Sequence, residues 1–319
     1  MKHSFQNAIS EDGMRKTMKL RCNAKINLSL DVTGKREDGY HTLESIFQSV
    51  AVYDILTVTV QTGSGISLRC NIPALPRDAR NLAYRAAQAM LEESGRECKV
   101  IIDLHKHIPS GAGMGGGSAD AAGVIYALNS LLECGYSDEK LREIGLSLGA
   151  DVPFLLMGGT ALAQGVGELL TPLPVLPELH LVILKGRQSV STPKAYAAID
   201  ALEHPFHPDT AQMLKAIETQ DMALLVKHCG NTFEGAVALA DVERAKEALL
   251  ADGAQCAVMT GSGSAVFGIF PDKQRAADCA AKRRGEFAFV QACTTVSQSL
   301  PVITVRSVGY PDNQKNRKK

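Results

Sequence analysis

Ten residues near the middle of the chain, Pro109-Ser110-Gly111-Ala112-Gly113-Met114-Gly115-Gly116-Gly117-Ser118, hold five glycines and run directly into an alanine-rich stretch. Glycine admits positive φ and lets backbone amides approach a ligand closely. The composition from Ser118 to Leu132 predicts a helix. A helix start presents unpaired N–H groups and a partial positive charge, so a glycine loop followed by a helix suits a phosphate. A plain turn needs far fewer glycines.

Two familiar phosphate loops can be compared with it. Gly111 and Gly116 have Walker A spacing, but Gly117 stands where that motif needs its lysine before Ser118, so the loop lacks the point charge for the β- and γ-phosphates. Gly111, Gly113 and Gly116 match Gly-x-Gly-x-x-Gly formally. That motif should follow its strand at once inside a βαβ unit, whereas His107-Ile108-Pro109-Ser110 intervenes and no second parallel strand follows cleanly.

Two further segments carry chemistry. Met18 to Thr33 alternates apolar and polar residues as a strand does, and alternation places Asn23, Lys25 and Asn27 on one face, either a solvated strand face or an active-site wall. Thr260-Gly261-Ser262-Gly263-Ser264 lies between apolar runs, either as a tight hairpin turn or as a second source of hydroxyls and amides for phosphates.

Around these, the pattern predicts strands at 41–60, 100–105, 159–164, 179–185 and 287–296, and helices at 81–94, 140–148, 192–202, 242–251 and 271–284. Strands and helices mix without regular βαβ alternation, an α+β organisation. Pro172, Pro174 and Pro177 mark a domain boundary. The reading is a flexible N-terminal extension at 1–17, domains at 18–176 and 177–310, and a basic disordered tail at 311–319.

Composition narrows the function. Lysine plus arginine equals aspartate plus glutamate at 34 each, so no global field draws the chain to nucleic acid or an anionic membrane. No apolar stretch reaches the roughly 18 residues of a membrane span, and residues 1–17 resemble neither a signal nor a transit peptide. Eight cysteines without a Cys-x-x-Cys pair read as free thiols in a reducing cytoplasm. A neutral chain of this size suits a monomer or a homodimer.

Asn23-Ala24-Lys25-Ile26-Asn27-Leu28, then Pro109 to Ala119, then Gly261 to Ser264, in this order and at these distances, resemble the GHMP kinases. The resemblance runs from about Met18 to Gly309. It implies a two-domain fold, with a ribosomal protein S5 domain 2-like N-terminal ATP-binding domain and an α/β C-terminal domain. Arg36 to His41, Gly149-Ala150-Asp151-Val152-Pro153-Phe154 and Gly165-Val166-Gly167-Glu168 resemble the branch that phosphorylates a cytidine diphosphate-linked methylerythritol. Homoserine or mevalonate-type kinases should lack Gly39-Tyr40-His41, and a merely nucleotide-binding module should have lost Lys25 or Asp151.

The resemblance implies these roles. Lys25 and Asp151 are catalytic, the carboxylate taking or orienting the hydroxyl proton and the ammonium stabilising the transferring phosphoryl. Asn81 and the loop from Pro109 through Ala119 bind ATP. Asn27, Tyr40, His41, Thr192, Pro193 and Tyr196 bind the substrate, with the aromatic rings on its base. Mg²⁺ accompanies ATP, with Ser118 as its protein ligand. Asn81 also suits an N-cap.

Overall fold

The computed structural model describes residues 14–309. Of the extension predicted at 1–17, residues 1–13 lie outside the described residues, as does the tail predicted at 311–319; residues 14–17 instead open the first strand, β1 (Met14–Lys35). Met14 pairs with Gly309 and Lys16 with Val60, so backbone pairing on both sides holds these polar residues in place.

β1 is followed by β2 (His41–Gln61), β3 (Ile66–Cys70), α1 (Leu82–Ser94), β4 (Lys99–His105), α2 (Gly116–Leu131), α3 (Asp138–Leu146), α4 (Val152–Met157), β5 (Thr160–Gln164) and β6 (Leu169–Pro172). The proline-rich stretch is the coil from β6 to β7 (His180–Lys185). Then come α5 (Thr192–Asp200), α6 (Thr210–Thr219), α7 (Met222–His228), β8 (Gly230–Asn231), a 3₁₀ turn at Thr232–Gly235, α8 (Ala240–Ala251), β9 (Cys256–Met259), β10 (Ala265–Phe270), α9 (Lys273–Arg283), β11 (Phe289–Thr294) and β12 (Val302–Gly309).

The first sheet runs β12-β1-β2-β4-β3, with β5 on β2, β6 on β5 and β8 on β1. The second runs β11-β7-β10-β9 and is antiparallel throughout. β3 and β4 are parallel, joined across α1. β8 and β12, both late in the chain, return to β1 of the first sheet.

β7 shows how the two halves share their cores. Its run Leu181-Val182-Ile183-Leu184 is apolar without alternation because both faces are covered. Leu181 and Ile183 join the core of β1, β2 and α2, while Val182 and Leu184 join a second core beneath α8 and α9. Helix α2 lies against β1 because it is built from small residues. A Cβ on Gly123 would fall 2.5 Å from Cys22 Sγ. All eight cysteines are free, and no helix among the described residues is long and apolar enough to cross a membrane.

Candidate active site

The first glycine loop takes its shape from three left-handed residues, Gly111 (φ 62°), Gly113 (φ 74°) and Gly115 (φ 70°), alternating along the chain. Gly115 is the N-cap of α2 and has no side chain to cover the helix's first amides, so these face the loop cavity uncapped.

The second loop, Thr260 to Ser264, packs directly on the first. A Cβ on Gly113 would fall 2.0 Å from the Thr260 carbonyl oxygen, and one on Gly261 would fall 2.9 Å from Gly113 Cα. Backbone bonds stitch the first loop in place. Ser264 N–H donates to Gly111 O at 3.3 Å, Ala265 N–H to Ala112 O at 3.2 Å and Lys25 N–H to Met114 O at 3.1 Å. Three segments far apart in sequence thus meet at one backbone junction.

Lys25 and Asp151 meet beside it. Lys25 is buried, with its ammonium 4.6 Å above the Phe47 ring, 3.0 Å from Asn27 Oδ1 and 3.7 Å from Asp151 Oδ1. Asp151 occupies the cap position of α4, but its side chain makes no capping bond, which leaves the one-third-exposed carboxylate free for Lys25 and for a ligand. A Cβ on Gly115 would stand 3.4 Å from Lys25 Cγ and 3.6 Å from Asp151 Oδ2. The loop therefore lies against both groups.

A cavity opens on each side of this loop. One, of about 270 Å³, is bounded by Lys25, Asp151, Ser118, Thr192, Tyr196 and Ser262. The other, of about 320 Å³, is bounded by Asn81, Leu82, Lys106 and the outer side of the loop. Gly113 and Gly115 line both. Asn81 is the expected cap of α1, its Oδ1 accepting from Ala83 N–H, and it also walls the second cavity.

Other expected residues are placed differently. Asn23 keeps the strand face of Lys25 and Asn27, opposite the core residues Cys22, Ala24, Ile26 and Leu28, but it lines a different cavity. It donates to the Gln298 carbonyl in that cavity, beside Arg21 and Gln48. Asn27 is committed to the protein. Its Oδ1 accepts from Lys25, from Thr260 Oγ1 at 3.1 Å and from Gly261 N–H at 3.0 Å, and its amide donates to Ser45 Oγ at 2.7 Å.

His41 is buried, stacked on Tyr196 at 4.5 Å and 17°, with Nε2 2.7 Å from Asp200 Oδ1. Tyr196 also meets the Phe233 ring edge-on at 5.0 Å. Burial and, second, the nearby Asp151 charge raise its phenol pKa. Tyr40 is 66% exposed and, like Pro193 in the first turn of α5, borders neither loop cavity. The Thr192 and Ser262 hydroxyls bond at 3.2 Å across the cavity lip.

Lys106, Asp54 and Asp120 were not singled out as site residues by the sequence reading, yet they lie directly under the loop. Asp120 is two residues past Ser118, but nothing local ties it to a strand residue 66 positions earlier. Among the described residues no group of three or more His, Cys, Asp or Glu side chains is gathered to hold a metal.

The chain matches the description "GHMP kinases N terminal domain" over residues 81–159 and "GHMP kinases C terminal" over 213–288. It is 40% identical over 265 residues to a 4-diphosphocytidyl-2-C-methyl-D-erythritol kinase of Lachnospira eligens, covering 82% of this chain and 92% of the relative. It is 39% identical over 282 residues to the protein of that name in Clostridium botulinum, covering 88% of this chain and all of the relative. A crystal structure of 4-(cytidine 5'-diphospho)-2C-methyl-D-erythritol kinase superposes with a TM-score of 0.76 at 35% identity, covering 87% of this chain and 99% of that one. With identity at this level across both halves, the chain belongs to the GHMP kinases, in the family of the 4-diphosphocytidyl-2-C-methyl-D-erythritol kinases.

Proposed function

We propose that this protein transfers the γ-phosphoryl group of ATP to the 2-hydroxyl of 4-diphosphocytidyl-2-C-methyl-D-erythritol, giving the 2-phosphate and ADP, as a cytoplasmic enzyme of the non-mevalonate isoprenoid precursor pathway. The observation that carries this reading is the Lys25–Asp151 pair, 3.7 Å apart and pressed against Gly115, where the two loop cavities adjoin.

Phosphoryl transfer is mostly positioning and charge stabilisation. ATP lies on the Asn81 side, its phosphates against the loop amides and the start of α2. The alcohol enters from the Tyr196 side. Its 2-oxygen attacks the γ-phosphorus, the bond to the β-bridging oxygen breaks, ADP leaves, and the hydroxyl proton passes to Asp151. Lys25, buried and aimed by Asn27, stabilises charge on the transferring phosphoryl and on Asp151. The cytosine is held by Tyr196, His41 and Tyr40, with the exposed Tyr40 closing over it.

The residues present fit Mg²⁺. Ser118 is half-buried in the cavity that holds Asp151, and a magnesium ion bound with nucleotide takes one or two protein oxygens, the rest coming from phosphates and water. Ser118 Oγ would hold it, and it would supply neutralisation of the β- and γ-phosphates.

The test is incubation with ATP, Mg²⁺ and a panel of alcohols. ADP should form only with the cytidine-linked methylerythritol, and free CMP or CDP should compete. Efficient phosphorylation of homoserine or mevalonate would overturn the substrate assignment. Absence of competition by CMP and CDP would remove the base site.

A further inference from the structure

Beneath the first glycine loop lies an ionic cluster that the chemistry above does not use. Lys106 Nζ donates to Asp120 Oδ2 at 2.6 Å, to the Gly116 carbonyl at 3.2 Å and to Asp54 Oδ2, which uses all three of its donors. The three side chains are 5%, 4% and 0% exposed. Asp54 Oδ1 also accepts from the backbone N–H groups of His107 and Ile108. Asp120 Oδ1 has no partner among the described residues, and Asp120 borders the Asn81 cavity. Burial draws the Lys106 pKa down, but the two carboxylates outweigh it and hold the ammonium above its ordinary value.

The placement of these atoms is the informative part. Lys106, His107 and Ile108 are the leg of chain entering the loop, while Gly116 and Asp120 are on the leg leaving it. The cluster therefore joins both legs at the base, where they already touch: a Cβ on Gly116 would fall 2.9 Å from Ile108 Cγ2. Buried ions are costly, and an apolar filling often serves stability as well or better. What an apolar filling cannot supply is directed bonds to named atoms on two legs. With two carboxyls to one ammonium, the cluster brings no positive charge to a phosphate either.

We propose that Lys106 is a positioning residue: bound by Asp54 and Asp120, it staples the two legs of the Pro109–Ser118 loop and fixes the shape in which the loop's amides meet the triphosphate. The inference rests on the reading of that loop as the ATP site.

Lys106→Met removes all three bonds and keeps an unbranched chain of similar length. The KM for ATP should rise on the order of tenfold, with the KM for the cytidine-linked alcohol within about twofold of the unmodified enzyme. Should two uncompensated carboxyls prevent folding, the Lys106→Met, Asp120→Asn double variant carries the same measurement, since Asp54 keeps its two backbone donors. Failure of that variant to fold would make the cluster a requirement of the fold and overturn the proposal. So would an unchanged or lower KM for ATP, equal rises in both KM values, or a fall in Tm with neither KM moved. Gly113→Val separates the inference from its premise. If that variant keeps ATP binding, the loop is not the ATP site. If it loses ATP while the Lys106 variants keep a normal KM, the staple alone fails.

Discussion

The two glycine loops touch back to back at Gly113 and Gly261, yet they are held in different ways. The first is anchored from below by a buried ammonium and two carboxyls, and its far end is the uncapped start of α2. The second is anchored by neutral amides. Asn27 Oδ1 takes the Gly261 N–H and the Thr260 hydroxyl, and Asn231 Nδ2 donates to the carbonyls of Met259 at 2.6 Å and Gly261 at 2.8 Å. The second loop's polar groups are largely consumed in these bonds, whereas the first leaves a helix start open. Similar glycine content thus serves two purposes: one loop leaves a helix start open, and the other is a buttress that packs against it and, through Asn27, aims Lys25.

Breaking the contact between them should have the largest effect. Gly113→Val puts a side chain into the Thr260 carbonyl at a φ of 74°. kcat/KM for ATP should fall on the order of 10³-fold, read from steady-state ADP formation. Removing the buttress alone should cost less and strike a different constant. Asn27→Leu leaves Lys25 unaimed and Gly261 N–H unpaired, so kcat should drop on the order of 10²-fold while the KM for ATP stays within about threefold. A larger effect on the KM for ATP than on kcat would mean that the second loop itself holds the nucleotide.

Gly117→Ala is the mild counterpart within the first loop. Gly117 lies within α2 without a left-handed φ, and its Cβ would meet Leu82 Cδ1 at an ordinary 3.6 Å, so all constants should stay within about twofold. The smallest effect on the site should come from an ionic tie remote from both loops. Asp252, bonded by Arg283 and Lys282, has its carboxyl pKa lowered from 3.8 to about 2, chiefly by the Arg283 bond. A depressed carboxyl stabilises the fold above pH 3.8 and loses that contribution as pH falls toward about 2. Asp252→Asn should flatten the acid side of a Tm–pH curve and leave both KM values alone.

The local features of this site were legible in the chain, and the distant ones were not. The Pro109–Ser118 run declares a loop before a helix, and strand alternation correctly turns Lys25 and Asn27 to one wall. Alternation sorts residues to faces and not to cavities, so the separate cavity of Asn23 escaped it. The Lys106 cluster joins positions 52 and 14 residues apart, and the His41–Asp200 bond spans 159. No periodicity reports which distant segment a side chain will meet. α6 and α7 were not foreseen either, although Asp209 and Asp221 each accept an N-cap bond from three residues on. Only the packing of Met213, Ile217 and Leu225 into the shared core fixes them there. β12 was missed because its exposed valines gain their order from pairing with β1.

The central claim is that phosphoryl transfer occurs where Lys25 and Asp151 press against Gly115, between the two cavities. Turnover and ATP binding measured together on Asp151→Ala test it most directly. ADP formation with the cytidine-linked methylerythritol should fall on the order of 10³-fold or more while the Kd for ATP stays within about threefold. Near-normal turnover in that variant would contradict it.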